Sequence, residues 1–353
     1  MLVSAWRAAW SAPGDGWTMS ATLPPGLAGP VQVALARAVE QIPHAGALPG
    51  GCRFEPKWDG FRLIVTCDQR GANLWSRRGT NLSTTFPEIR SACVDQLAPG
   101  TVLDGEVVIW SSGRLDFSSL QTRMGRGPRS AAAHAVGHPA SYAAFDVLAC
   151  AGRDVRPLRF DDRRELLEQL AAIWRPPLNL SPVTGDREVA IEWFETYSVV
   201  GIEGLLVKGG AQPYPAGQRG WLKIKHRETV DVVCGAVIGT RSAPQEVVAG
   251  LSIDGRLRIV GRTTPLSPSA RRALAPWLRP PAGEHPWPAQ VPRTALSRFN
   301  AARGDVVDMT LVEPIVVEVS ADVGWDGQSF RHLLRFVRVR PDTEVGSVEP
   351  PAP

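Results

Sequence analysis

The chain has 353 residues, 44% hydrophobic and 21% charged, with a formal net charge of +4. That length suits two domains, each able to bury its own core, and the charge permits a polyanionic partner without establishing one. No apolar run approaches the ~18 residues of a membrane helix, the N-terminus lacks the apolar core of a signal peptide, and five scattered cysteines with no CxxC pair exclude a zinc ribbon and point to reduced thiols in a cytoplasmic protein.

In chain order, residues 1–29 read as a disordered leader, with Met19 a competitor to Met1 as the start. Within the Pro-, Gly- and Ala-rich stretch 20–50, Val31 to Ile42 is expected as a short helix. Apolar runs near 61–66, 102–110, 142–148 and 203–208 read as strands between turn residues. Asp161 or Asp162 is expected to cap a helix running to about Trp174, with Leu166, Leu167 and Leu170 on one face. A second amphipathic helix is expected over Glu188 to Val199. Strands mixed with helices define an α+β domain over 30–228.

After Thr229 the pattern is strand-rich. Val230 to Ile238, Val247 to Ile253, Leu257 to Val260, Leu311 to Ser320 and Leu334 to Arg340 suggest a small barrel over 229–342. Ser267 to Leu278 reads as helix and Pro280 to Pro292 as loop. Residues 343–353 read as a disordered tail.

Lysine is scarce. Only Lys57, Lys208, Lys223 and Lys225 occur, and the other 35 basic residues are arginine. Arginine stays protonated, whereas lysine can lose its proton and become a nucleophile. Lys57 lies in Glu55-Pro56-Lys57-Trp58-Asp59-Gly60-Phe61-Arg62. An amine there could attack the α-phosphate of ATP if its pKa falls from about 10.4. Asp59-Gly60 supplies a turn and Arg62 a phosphate or ribose contact; a KxDG pattern alone also fits a surface lysine.

Asp104 and Glu106, in Leu103-Asp104-Gly105-Glu106, share one strand face and suit ribose hydroxyls or Mg²⁺, or simply a solvated strand end. In Glu203-Gly204-Leu205-Leu206-Val207-Lys208, alternation puts Glu203 and Lys208 on opposite faces, so Glu203 is the site candidate and Lys208 a structural one. In Trp221-Leu222-Lys223-Ile224-Lys225 both lysines share a face, where an anion such as a nucleotide phosphate would relieve their repulsion, helped by Arg219; an exposed basic strand fits equally well.

These segments, with Ser76-Arg77-Arg78-Gly79, Ala143 to Leu148 and Asp116 to Arg123, occur in an order that resembles the covalent nucleotidyltransferase superfamily of DNA ligases, RNA ligases and capping enzymes. The wording is most similar to small bacterial ATP-dependent DNA ligases of the repair and end-joining group, over roughly residues 30–342. That resemblance implies an ATP-grasp-like nucleotidyltransferase domain of antiparallel sheets with helices, followed by a β-barrel OB-fold domain. It implies ATP as substrate, Mg²⁺ or Mn²⁺ as cofactor, nicked or broken duplex DNA as partner, and a monomer acting in repair.

Residue by residue, the resemblance makes Lys57 the adenylated lysine and places Glu55 at the adenine edge, with Phe145 stacked on the base. Arg62 and Arg77 contact the nucleotide or the 5′-phosphate, and Glu106 the ribose. Glu203 is the metal-linked carboxylate, with Glu106 a second metal candidate, and Lys223 and Lys225 hold the α-phosphate. The last family motif reads Arg340-Pro341-Asp342 here, and Thr343 stands where its final lysine would be. Arg227 to Asp231 is the expected hinge. Other expectations to separate are RNA ligation, GTP-dependent capping and a non-catalytic OB-fold binder; NAD⁺ use is disfavoured by the missing four-cysteine module.

Overall fold

A computed structural model of the protein describes residues 21–124, 126–296, 306–322, 325 and 327–351. Of the leader expected over 1–29, residues 1–20, with Met19, lie outside the described residues, whereas Leu23 and Leu27, expected to be disordered, are 8% and 0% exposed and packed in a core. The chain divides into two compact units, Met1–Ile224 and Lys225–Pro353.

Two sheets build the first unit. One has four strands in the order β1 (Ala36–Ala38), β11 (Trp221–Lys225), β10 (Gly204–Gly209), β2 (Cys52–Pro56). The other runs β4 (Gly71–Ser76), β3 (Phe61–Asp68), β5 (Thr101–Ser111), β7 (Ala140–Cys150), β8 (Arg153–Asp154), with β6 (Arg114–Leu115) on β5 and β9 (Leu178–Leu180) on β7.

The large sheet buries both faces, which is why its strands are almost continuously apolar. On one face Leu63, Val65, Leu103, Val107 and Ile109 pack with α1 (Pro87–Gln96) and, after α2 (Phe117–Met124) and α3 (Pro128–Gly137) in the chain, with Leu166 and Leu167 of α4 (Phe160–Ala171). On the other, Ile64, Val102, Phe145 and Leu148 meet Trp221 of the small sheet. The far face of the small sheet, with Phe54, Leu205, Leu222 and Ile224, is covered by α5 (Arg187–Thr196) through Ala190. Thus β2 and β3, joined by Lys57 to Gly60, carry the chain from one sheet to the other.

The helix expected over Val31 to Ile42 is absent. Instead Ala36–Ala38 pairs in parallel with Trp221–Lys223, and Leu35 donates to the Gln218 carbonyl at 2.8 Å. Sheet pairing overrides a weak helical pattern there. The helix expected to begin at an aspartate cap begins at Phe160; Asp161 accepts from Arg53 at 2.7 Å, so its carboxylate is engaged elsewhere. Asp186 caps α5 by accepting from the Glu188 amide at 2.8 Å, and the helix gives way after Thr196 to a 3-10 turn, Tyr197–Val200.

The second unit is an antiparallel sheet in the order β14 (Arg256–Arg262), β13 (Pro244–Ile253), β12 (Arg227–Gly239), β17 (Thr310–Asp322), β18 (Arg335–Val339). Its two edges approach one another where Thr263 bridges Leu334. The expected helix is shorter, Pro268–Leu274 capped by Ser267, and a 3-10 turn follows it. The expected loop ends in a strand, β15 (Gln290–Pro292), paired with β16 (Val306–Asp308). The tail expected to be disordered forms a 3-10 turn at Val345–Ser347, and Val348 is 5% exposed in this unit's core. The expected hinge, Arg227 to Asp231, is paired strand opposite Asp322 to Glu318; His226 alone separates β11 from β12. No helix among the described residues is long and apolar enough to cross a membrane.

Candidate active site

Lys57 leaves the end of β2 and its backbone is clamped to the start of β10. Its amide donates to the Gly204 carbonyl at 2.8 Å, and the Glu203 amide donates to the Lys57 carbonyl at 2.9 Å. This pair of bonds brings Glu203 alongside, and the Lys57 ammonium ion-pairs with its carboxylate. Gly60 closes the turn against β5. A Cβ there would lie 2.2 Å from the Val107 carbonyl oxygen and 2.9 Å from Glu106 Cγ, so only glycine lets the turn sit this close.

Glu106 faces Arg62 across the β3–β5 ladder. Burial pushes its carboxyl up to about 8, against the pull of Lys57 and Arg62, and the charges of Asp104 and Glu203 add to the rise. Burial lowers the Lys57 pKa, but Glu203, then Glu106 and Asp59, outweigh it and hold the amine above its ordinary value. Two carboxylates therefore flank one amine.

Asp104 is not open to a ligand. It is 0% exposed and accepts from Arg62 Nε at 2.8 Å and from the Tyr214 hydroxyl at 2.6 Å. Arg62 also donates to the Ala34 carbonyl and to Tyr214, and lies over the rings of Phe145 and Trp221 at 5.4 and 5.1 Å. Most of its guanidinium is thus spent inside the protein. Tyr142 passes so close to Gly105 that a Cβ there would meet the ring at 2.5 Å, which explains the glycine between Asp104 and Glu106.

Beneath the site lies a buried polar cluster. Lys208 is 0% exposed; its ammonium lies 3.0 and 2.8 Å from the two Glu55 carboxylate oxygens and donates to the Phe145 carbonyl at 2.9 Å. The rings of Phe145, Phe160 and Trp221 surround it at 4.7, 4.8 and 4.5 Å. Burial raises the Glu55 pKa, and Lys208 opposes that rise. Asp146, next to Phe145, accepts a fork from Arg163 at 2.8 and 3.0 Å, both fully buried. Phe145 itself is 6% exposed and meets Trp221 edge-on at 6.1 Å.

Lys57, Glu203, Glu106, Asp59 and Arg62 therefore form one group, and Glu55, Phe145 and Lys208 a second layer behind it. Lys223 and Lys225 stand half-buried on β11, with Leu222 and Ile224 buried on its other face. Arg77 and Arg219 are exposed. In the second unit, Arg340 forks onto Asp342 and reaches Asp231 at 2.9 Å. Sequence reasoning missed Tyr214, Asp146 and Arg163, and gave Lys208 no partner. Asp146 had one visible signal, a charge inside an otherwise apolar strand.

The chain belongs to the ATP-dependent DNA ligase family, whose domain matches residues 33–225. It is 33% identical over 335 residues to DNA ligase C2 of Mycolicibacterium smegmatis, covering 90% of this chain and 92% of that one. It is 31% identical over 316 residues to the multifunctional non-homologous end joining protein LigD of Mycobacterium bovis, covering 86% of this chain and 38% of that larger protein. A solved structure of a Lig E DNA ligase shares the fold, with a TM-score of 0.50 and 17% identity over 87% of this chain and 99% of that one. The protein is thus an enzyme that joins DNA at the expense of ATP.

Proposed function

We propose that Lys57 carries AMP during the ligase cycle, with Glu55 and Phe145 forming the adenine pocket and Glu203 and Glu106 serving the phosphate end. The observation that carries this is the pairing of Lys57 with Glu203 inside a part-buried group that also holds Glu106. In the first step the neutral Lys57 amine attacks the α-phosphorus of ATP, the P–O bond to pyrophosphate breaks, and a lysyl-AMP phosphoramidate forms. In the second, the 5′-phosphate of a DNA break displaces the Lys57 nitrogen and takes the AMP. In the third, the 3′-hydroxyl displaces AMP and closes the backbone. Such transfers rest on alignment and neutralised charge more than on covalent catalysis.

Mg²⁺ fits the donor set. Two carboxylates near one another, one of them pushed up to about 8 by burial and like charge, suit a cation held by Glu203 and Glu106 together with substrate phosphates and water. Bound there, the ion would neutralise charge on the phosphates and on the departing pyrophosphate. Lys223 and Lys225 are assigned to the α-phosphate, and the exposed Arg77 to the DNA 5′-phosphate.

The second unit is read as the OB-fold barrel of the resemblance, supported by five antiparallel strands whose edges meet at Thr263 and Leu334. Its role would be grip on duplex DNA without sequence preference, by a monomer working in break repair.

Incubation with α-phosphate-labelled ATP and Mg²⁺, followed by peptide mapping, tests the reading. AMP is expected on Lys57, to be chased by nicked duplex and absent in Lys57→Ala. AMP on another residue, or an undiminished adduct in the variant, would overturn it.

A further inference from the structure

Next to the amine stands an aromatic pair that the reaction scheme leaves unused. Trp58 follows Lys57 directly and meets Trp110 edge-on, with ring centroids 6.4 Å apart and planes at 83°. The Trp58 indole N–H donates to Ser181 Oγ at 2.9 Å, and the Ser181 carbonyl accepts from Arg164 at 2.7 Å. The polar edge of Trp58 is thereby satisfied and its ring fixed. Trp110, by contrast, is 41% exposed.

The strand explains the placement. Val107 and Ile109 of β5 lie in the core under α1. Glu106, Val108 and Trp110 therefore share the opposite face, along which four residues span about 13 Å. The turn at Gly60 packs against this same face, at Glu106 and Val108. Across the β5–β6 hairpin Trp110 pairs with Leu115.

We propose that Trp58 and Trp110 form an aromatic shelf for the terminal nucleotide at the DNA break, one ring face taking its base or deoxyribose. A large, rigid, part-exposed aromatic surface beside the reacting atoms suits a nucleotide, because every base has a π-face and stacking on it needs no sequence. Successive nucleotides in one strand are spaced about 3.4 Å, so a terminus whose phosphate is at Lys57 meets the Trp58–Trp110 pair, whose centroids are 6.4 Å apart, with its terminal nucleotide first. An end with an unstacked terminal base would gain more from the shelf than a nick whose bases remain stacked. The proposal rests on Lys57 as the adenylated residue.

The test uses the full chain with Trp110→Ala and Trp110→Phe. Each variant is assayed for adduct formation with ATP, for the KM of sealing nicked and cohesive-ended duplexes, and for quenching of 2-aminopurine placed at the terminal nucleotide. Trp110→Ala is expected to form adduct at the wild-type rate, to raise KM about 5- to 100-fold by losing stacking, and to lose the quenching. Trp110→Phe is expected to restore most of both. Unchanged KM and quenching in Trp110→Ala would overturn the shelf, as would a loss of adduct formation equal to the loss of sealing. AMP mapping away from Lys57 would remove the reading beneath it, whereas unchanged quenching with AMP on Lys57 removes the shelf alone.

Discussion

Lys57 and Glu203 are held together three times over: by an ion pair, by the Glu203 amide donating to the Lys57 carbonyl at 2.9 Å, and by the Lys57 amide donating to the carbonyl of the adjacent Gly204 at 2.8 Å. The carboxylate keeps the amine protonated, yet the proposed reaction needs it neutral. Burial pulls the Lys57 pKa down, but Glu203, with Glu106 and Asp59, more than offsets that, so the net shift is upward. Below its pKa, the neutral fraction of an amine grows about tenfold per pH unit. Adduct formation should therefore rise with pH through the neutral range. In Glu203→Gln the largest upward pull is gone, and the half-maximal pH of adduct formation should fall by a unit or more, whatever the maximal rate. A single-turnover pH profile measures this, and an unmoved or alkaline-shifted profile contradicts it.

Glu106 makes the opposite kind of statement about stability. Burial, with Asp104 and Glu203 adding to it, raises its folded-state pKa to about 8, while Lys57 and Arg62 pull down. A carboxyl whose pKa is raised on folding contributes stability below its unfolded value of about 4.3 and loses it as pH rises through the folded value. Glu106→Gln stays neutral throughout and escapes that loss. Its Tm relative to the parent should therefore climb between mildly acidic pH and pH above about 8, by an amount reflecting on the order of a few kcal/mol at most. Thermal melts without nucleotide or metal, run at both ends of that window, decide it.

The site's strands were legible because period-two alternation is a local signal. It set Glu203 and Lys208 on opposite faces; in the structure Glu203 lies just ahead of β10 and meets Lys57, while Lys208, inside β10, turns to Glu55 and Phe145. It also set Lys223 and Lys225 opposite the buried Leu222 and Ile224. Partners distant in sequence were not legible. Asp104 looked available for ribose or metal until Tyr214, 110 positions away, was found to occupy it. The stretch around Ala36 reads as helix in isolation and becomes strand only because β11 lies beside it. Val348 looked like part of a loose tail, since nothing nearby shows that it fills a gap in the second unit's core.

Lys208 holds the second layer of the site together. Replacing it with methionine keeps much of the apolar stem but leaves the fully buried Glu55 carboxylate and the Phe145 carbonyl without their donor. Breaking a buried pair on one side costs about 3–5 kcal/mol. Lys208→Met should therefore lower Tm sharply and raise the KM for ATP. Adding Glu55→Gln should recover part of the stability, because the stranded charge is removed, without recovering ATP affinity. A double-mutant cycle by denaturant unfolding reads this directly; additive losses would mean that the two side chains do not depend on each other.

Gly60 tests whether the turn, and not only the amine, defines the site. Gly60→Ala leaves every ionisable group in place but drives a methyl toward the Val107 carbonyl, 2.2 Å from the ideal Cβ position, and toward Glu106 Cγ at 2.9 Å. The Val107 carbonyl belongs to a β5 ladder paired on both sides, so it cannot yield easily. The turn must lift instead and carry Lys57 away from Glu106. A displacement near 1 Å at a reacting group can cost about 100-fold in rate. Gly60→Ala should accordingly form adduct at least 100-fold more slowly, with a much smaller loss of thermal stability, since the site is at a sheet margin and no core side chain is removed. Single-turnover adenylation beside a melting curve separates the two effects; near-normal adduct formation would show that the turn has more room than its contacts allow.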